Sequence, residues 1–254
     1  MQPIAKYDES VPRPVVAIGA DYPPSYELDE HSHIRGQLLY AARGVVAVST
    51  PQGAWTAPPE RAVWIPAGLP HSVRMVGQVS TRGVLISPGH LPATFGERCQ
   101  VVAVSPLLRV LLMTASEMPA EYDLEGRDGL AMALLLAELA QAPVIPLSTP
   151  FPRDPALAAK CHAFLQEPNA HDTIDDWAGA LGLNRRAFTR AFRRETGMSF
   201  AEWRQQASVL TALPRLAAGE PVTTIALDLG YDSPAAFATM FKRLSGVAPS
   251  HYQA

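Results

Sequence analysis

The stretch APVIPLSTPFPRDPA, residues 142–156, carries five prolines between positions 143 and 155. Each proline fixes its own φ and lacks an N–H donor, so neither a helix nor a central strand runs through that density. The segment reads as a stiff, extended connector. It divides the chain into a domain at 1–142, a linker at 143–154 and a domain at 155–254. With 254 residues, nearly half of them hydrophobic, each part can bury a core of its own.

The two parts differ in hydrophobic period. Over the first hundred residues, short runs such as PVVAIGADY, GQLLYAA, GVVAVST, RAVWIPAG, HSVRMVG and TRGVLISPG are β-branched or alternating, with Gly, Pro and Ser between them. Strands this short and closely spaced predict a small sandwich or barrel rather than a parallel sheet. From Ser105 the period becomes helical. Ser105 is placed to cap a helix opened by Pro106. A second helix, EGRDGLAMALLLAELAQA, is apolar at Leu130, Leu134, Leu135 and Leu139 and also at Met132 and Leu136. That surface is wider than one core-facing stripe needs. It serves burial within the domain, a helix-to-helix contact in a homodimer, or both on different faces.

Composition excludes several classes. A net charge of −3 is not that of a uniformly basic nucleic-acid-binding protein, although residues 1–150 carry −4 and residues 151–254 carry +1. Cys99 and Cys161 are the only cysteines and have no partner spacing, which argues against a disulfide framework or a Cys-rich zinc site. The N-terminus MQPIAKYDES lacks the pattern of an export signal, and LAMALLLAELA is about half of a membrane span. A soluble, cytoplasmic chain with no membrane partner is the expectation.

Beyond the linker the sequence predicts two helix–turn–helix pairs about fifty residues apart. In TIDDWAGALGLNRRAFTRAFRR, residues 173–194, Thr173 caps one helix with Asp176 near the acceptor position of a capping box. Gly182 supplies the turn and Asn184 caps the next helix. Phe188, Ala191 and Phe192 face inward there, leaving Arg185, Arg186, Thr189, Arg190 and Arg193 on the opposite side. From Leu183 to Arg194 there are five arginines and no acid. An ordinary solvated helix face mixes signs, and this one does not. A short cationic helix after a tight turn fits the major groove of double-stranded DNA, about 12 Å wide, where Arg contacts guanine or phosphate. In the second pair, residues 222–246, Gly230 begins the turn, Ser233 caps a helix opened by Pro234, and Phe237, Met240 and Phe241 pack inward. A long helix between the pairs, interrupted by Pro214, spaces the two reading helices, which need about 34 Å between them on one face of a duplex.

These residues resemble the AraC/XylS transcription regulators. The signature is carried by Ala226, Gly230, Tyr231, Phe237, Phe241, Gly246, Pro249 and Tyr252, and in the first pair by Trp177, Ala178, Phe192, Glu195, Thr196, Gly197 and Trp203. The resemblance covers about residues 155–254 and implies a seven-helix unit that binds adjacent major grooves. It implies base-facing roles for Arg186, Thr189 and Arg190, and for Pro234, Ala235 and Thr239, with Arg185, Arg193 and Lys242 completing the DNA-binding set. The chain departs from the family where Thr239 stands for a usual basic residue, and where Pro234 and Ala235 stand near usual polar ones. The first reading helix is therefore expected to carry most hydrogen-bonded base discrimination.

In the N-terminal part, His31-Ser32-His33 places two imidazoles on one face if both lie on a strand. With Gln37, Gly44 and the later Pro66, Gly68 and His71, the spacing is similar to the cupin pattern, with Gln37 where that family usually has Glu. The resemblance implies a β-barrel in which His31, His33 and His71, with Gln37, face a common pocket. Arg35, Trp64, Tyr40 and Trp55 are further candidates for its lining. Three neutral imidazoles suit a divalent transition metal. An organic effector in the same pocket, and histidines that merely fill a core, remain open beside it. The function these features imply is a non-enzymatic regulator with an α+β architecture. Its partners are promoter DNA, a small-molecule or metal effector, a second copy of the chain and RNA polymerase. The rival is a metal-dependent cupin enzyme, such as a dioxygenase, with a helical appendage. No acid/base pair or nucleophile–base set stands near the histidines to support that rival.

Overall fold

A computed structural model describes residues 10–57, 60–92, 95–145 and 147–252. The export-signal reading rests largely on residues outside that set, as does the expectation for Pro146. The chain forms two compact units, residues 1–50 with 55–146, and residues 51–54 with 147–254.

The first unit is built on an antiparallel sheet. Its strands are β1 (Val15–Tyr22), β2 (Glu27–His31), β3 (Gly36–Thr50), β4 (Gly53–Ala57), β5 (Arg61–Ile65), β6 (His71–Ile86), β7 (Gln100–Ala103) and β8 (Val144–Ile145). The main path runs β1-β6-β3-β5-β7-β8, with β2 also on β6 and β4 on β3. Among the described residues no pairing joins β1 to β8, so the expected barrel is an open, cupin-like sheet. Long β6 binds β1 along one half (Val79 opposite Tyr22, Ile86 opposite Val15) and β2 along the other (His71 opposite His31).

Alternation gives the sheet two buried faces. One carries Val15, Leu38, Tyr40, Ala62, Trp64, Val84 and Val102, covered by α1 (Pro106–Ala115) and α2 (Arg127–Ala140). The side chain of Ser105 accepts the Leu108 N–H at 3.0 Å and caps α1 as its sequence predicts. Met132, Leu135 and Leu139 enter this core, whereas Leu130 and Leu134 of α2 stay exposed, as do Leu107 and Val110 of α1. The opposite face, with Val16, Ile18, Gln37, Leu39, Val73 and Met75, bounds a cavity.

The proline-rich stretch is extended, and each end is tied to its own unit. β8 pairs with β7 at the sheet edge, where proline is tolerated nearby. Further on, β9 (Ser148–Pro150) leads into the second unit. There the Ser148 N–H donates to Gln206 Oε1 at 2.9 Å, and Trp203 Nε1–H donates to the Pro150 carbonyl at 2.9 Å.

The second unit is helical: α3 (Pro155–Gln166), α4 (Ile174–Ala180), α5 (Arg185–Thr196), α6 (Phe200–Ala217), α7 (Val222–Asp228) and α8 (Pro234–Ser245), then a 3₁₀ turn over Pro249–Tyr252. Among the described residues that is six α-helices and a short turn where seven helices are implied by the family resemblance. Trp177 and Trp203 lie at its centre against Phe164, Phe188, Phe192 and Phe200. The α6 helix touches α3, α5, α7 and α8 and so ties both pairs together. It continues through Pro214, which is buried.

Candidate functional site

The reading helix α5 is fixed at both ends by the residues that its sequence predicts. Thr173 and Asp176 form a reciprocal capping box on α4, and Gly182 turns the chain with φ 65°. Asn184 Oδ1 then accepts the Ala187 N–H at 2.9 Å, and Gly197 ends α5 in the left-handed region. Phe188 and Phe192 are fully buried. Their burial turns Arg185, Arg186, Thr189, Arg190 and Arg193 outward, and these five line one shallow groove.

The arginines are not equivalent. Arg185 Nη1 donates to Asp175 Oδ2 at 2.6 Å, which draws it toward α4, and Arg194 pairs with Glu195. Arg186, Arg190 and Arg193 make no ion pair among the described residues. Thr189 Oγ1–H donates to the Arg185 carbonyl at 2.8 Å, so its methyl and one lone pair face outward. The α8 helix repeats the construction with other chemistry. Ser233 caps it, Gly246 ends it in the left-handed region, and Phe237 and Phe241 are buried. Its outer residues are Pro234, Ala235, Thr239 and Lys242. Thr239 Oγ1–H donates to the Ala235 carbonyl at 2.9 Å, and Arg243 is held by Gln205. Outward hydrogen-bonding capacity is thus concentrated on α5.

In the first unit three imidazoles meet. Ring centroids are 5.0 Å apart for His31 and His33, 4.3 Å for His31 and His71, and 5.3 Å for His33 and His71. The sequence expectation that both early histidines sit on one strand is corrected. His31 ends β2, while His33 lies in the following turn, where the Gly68 N–H donates to its carbonyl at 2.7 Å. That bond, with Gly68 at φ 74°, brings the two motif segments together. His71 Nδ1 lies 2.9 Å from the Leu69 carbonyl and His31 Nδ1 lies 2.7 Å from the Asp29 carbonyl. A carbonyl only accepts, so in each ring Nδ1 carries a proton, and in the neutral form of either ring the lone pair is on Nε2. Burial lowers the His71 pKa to about 4, outweighing the upward pull of the Leu69 carbonyl, and the neighbouring histidines lower it further. His71 therefore stays neutral near pH 7.

His31, His33 and Gln37 line a cavity of about 350 Å³, with Tyr22, Tyr26, Leu28 and Met75 among its other walls. His71 lies against His31 outside this lining. Arg35 and Trp64 do not line it either, and neither do Tyr40 and Trp55, which corrects the sequence assignment. Trp64 is opposite Leu38 in the β3–β5 ladder, so it shares the helix-covered face. A Cβ on Gly36 would stand 2.1 Å from its ring, which is why a glycine follows Arg35. Arg35 donates to the carbonyls of Arg13 and Val11 and to Ser87 Oγ, pinning residues 11–13. The period-2 pattern of Ile18, Ala20 and Tyr22 on β1 could have revealed the cavity wall. The acidic mouth at Glu27, Asp29 and Glu30 has no such signal.

A sheet domain with a ligand-sized cavity, followed by paired helix–turn–helix elements with a cationic reading face, defines a ligand-binding DNA-binding regulator. Residues 13–140 match the AraC-like ligand binding domain and residues 177–254 match a helix-turn-helix domain. The chain belongs to the AraC family of transcription regulators. It is 33% identical to the HTH-type transcriptional regulator NimR of Escherichia coli, over 87% of this chain and 81% of that protein. It is 27% identical to the arabinose operon regulatory protein of Salmonella typhimurium, over 51% of this chain and 48% of that one. Among solved structures, ToxT of Vibrio cholerae aligns over 94% of this chain and 98% of its own, at 12% identity and a TM-score of 0.39. The named relatives are regulators, and no described helix is long and apolar enough to cross a membrane.

Proposed function

We propose that this regulator discriminates its operator mainly through α5, while α8 seats in the neighbouring groove, and that a small effector in the N-terminal cavity adjusts that grip. The observation that carries the reading is the outer face of α5. Arg186, Arg190 and Arg193 are exposed together on a helix whose inner face is locked by Phe188 and Phe192. Exposed guanidiniums on a rigid helix are pre-organised for bidentate contact with guanine and for phosphate. On α8, Pro234, Ala235 and the Thr239 methyl suit apolar contact with thymine, and Lys242 suits a phosphate. The cavity lies within the size range of small-molecule sites. Exposed Leu107 and Val110 on α1 and Leu130 and Leu134 on α2 offer an apolar surface for a second copy of the chain. RNA polymerase is the further partner when the regulator activates.

Gel retardation with DNA upstream of the chain's own gene tests this. A discrete complex, weakened by salt and by competitor operator but not by unrelated DNA, is the expected outcome. Retardation that is equal for all duplexes contradicts the proposed discrimination.

A further inference from the structure

We infer that the N-terminal cavity takes a small organic cation, a mainly apolar molecule whose amine or amidine N–H donates to Gln37 Oε1. This rests on the effector-binding reading of that cavity and names the chemical class of its occupant. Gln37 is 6% exposed and lines the cavity, and its Oε1 accepts no hydrogen bond among the described residues. A buried carbonyl oxygen without a donor is costly. A ligand N–H satisfies it, whereas a carboxylate brings only further lone pairs.

The charge of the wall has one sign. Glu27, Asp29 and Glu30 line the mouth, are exposed, and form no ion pair among the described residues. No described Lys or Arg lines the cavity. Arg74, opposite Glu27 in the β2–β6 ladder, is exposed and stands outside the lining. Carboxylates grouped at a cleft concentrate cations there and repel anions.

Two phenol rings add a third preference. Tyr22 and Tyr26 are half-buried in the wall, with ring centroids 5.3 Å apart and planes inclined at 35°. The Met75 N–H donates to the Tyr26 carbonyl at 2.8 Å, which holds the segment before β2 against β6. Aromatic faces attract an ammonium or amidinium group through their quadrupoles. The remaining wall is apolar, with Ile18, Leu28, Leu39 and Val73. A bare inorganic cation leaves those side chains uncovered, a hydrocarbon leaves Gln37 Oε1 unpaired, and an anion meets the acidic mouth. An organic cation answers all three demands.

The probes are three naphthalene derivatives of nearly one shape: the amidine, which is cationic, the neutral amide and the anionic carboxylate. Each is titrated calorimetrically into the full chain at about pH 8, where ordinary imidazoles are uncharged. A chelator is present, so that no metal bridges a probe to the histidines. The amidine should bind once per chain, about tenfold tighter than the amide, and the carboxylate should give no saturable heat. Gln37→Leu should weaken the amidine about tenfold. Gln37→Glu keeps the volume and adds a charge, so it should tighten the amidine, and it covers the case in which Gln37→Leu misfolds. Glu27→Gln combined with Asp29→Asn should narrow the gap between amidine and amide. Amide or carboxylate binding as tight as that of the amidine, no binding by any probe, or weaker amidine binding by Gln37→Glu would overturn the inference. Operator retardation with the same probes separates the two readings. Retardation altered by the amide or carboxylate but not by the amidine sinks the cation class alone. Tight amidine binding that leaves retardation unchanged sinks the effector reading alone.

Discussion

The α5 and α8 helices share a scaffold and differ in surface. Each follows a short helix and a glycine turn, starts on a capped polar residue, buries two phenylalanines and ends on a left-handed glycine. Outwardly, α5 presents arginines and α8 presents proline, alanine, threonine and one lysine. The core and capping residues fix where a reading helix lies. The outer residues decide what it can read. Duplicated architecture does not imply duplicated recognition.

The comparison breaks most sharply at the turns. Gly182 and Gly230 both have positive φ, but a Cβ at Gly182 meets open space while one at Gly230 stands 2.6 Å from Asn169 Oδ1 and 3.1 Å from the Ala170 nitrogen. Left-handed backbone costs a non-glycine residue about 1–2 kcal/mol, and overpacking adds about 1–3. Gly230→Ala should therefore destabilise the chain by about 2–5 kcal/mol and Gly182→Ala by about 1–2. Urea denaturation checks the order, and equal losses would mean that the second turn is no tighter than the first.

On binding, Arg190→Ala should cost about 1–3 kcal/mol and relax preference at one base position. Titration of single-base operator variants reads both effects. Lys242→Ala should weaken all sequences alike and reduce the salt slope by about one, as expected of a phosphate contact. Thr239→Ala removes a hydroxyl already donating within its own helix, so it should shift affinity less than Arg190→Ala.

The smallest effect is on pH. Asp176 and Glu202 titrate below their ordinary values, chiefly through hydrogen bonds from Thr173 and from Ser199 respectively. A lowered folded pKa means that the stabilisation is complete above the unfolded carboxylate range and is lost as pH falls through the folded pKa. Helical signal in the second unit should erode on acidification below about pH 4. Thr173→Ala and Ser199→Ala should remove part of that dependence.

Much of the helical unit was legible because its signals are local. Thr173, Asn184 and Ser233 cap where their sequence contexts predict, since capping depends on residues three apart. The N-terminal site was legible only in part. The convergence of His31, His33 and His71 follows from a spacing, but Trp64 points elsewhere because strand register decides its face, and Arg35, in the bend before β3, is drawn to the carbonyls of Val11 and Arg13 far away in sequence. The bond that Arg185 donates to Asp175 crosses between two helices, and no spacing rule within one helix reports it.

The most direct test is selection of bound duplexes from random DNA by the wild type and by Arg190→Ala. The account predicts a strong, contiguous block of specified bases that loses definition in the variant, beside a weaker block that persists. Unchanged selection by Arg190→Ala, or loss confined to the weaker block, would contradict the assignment of sequence discrimination to α5.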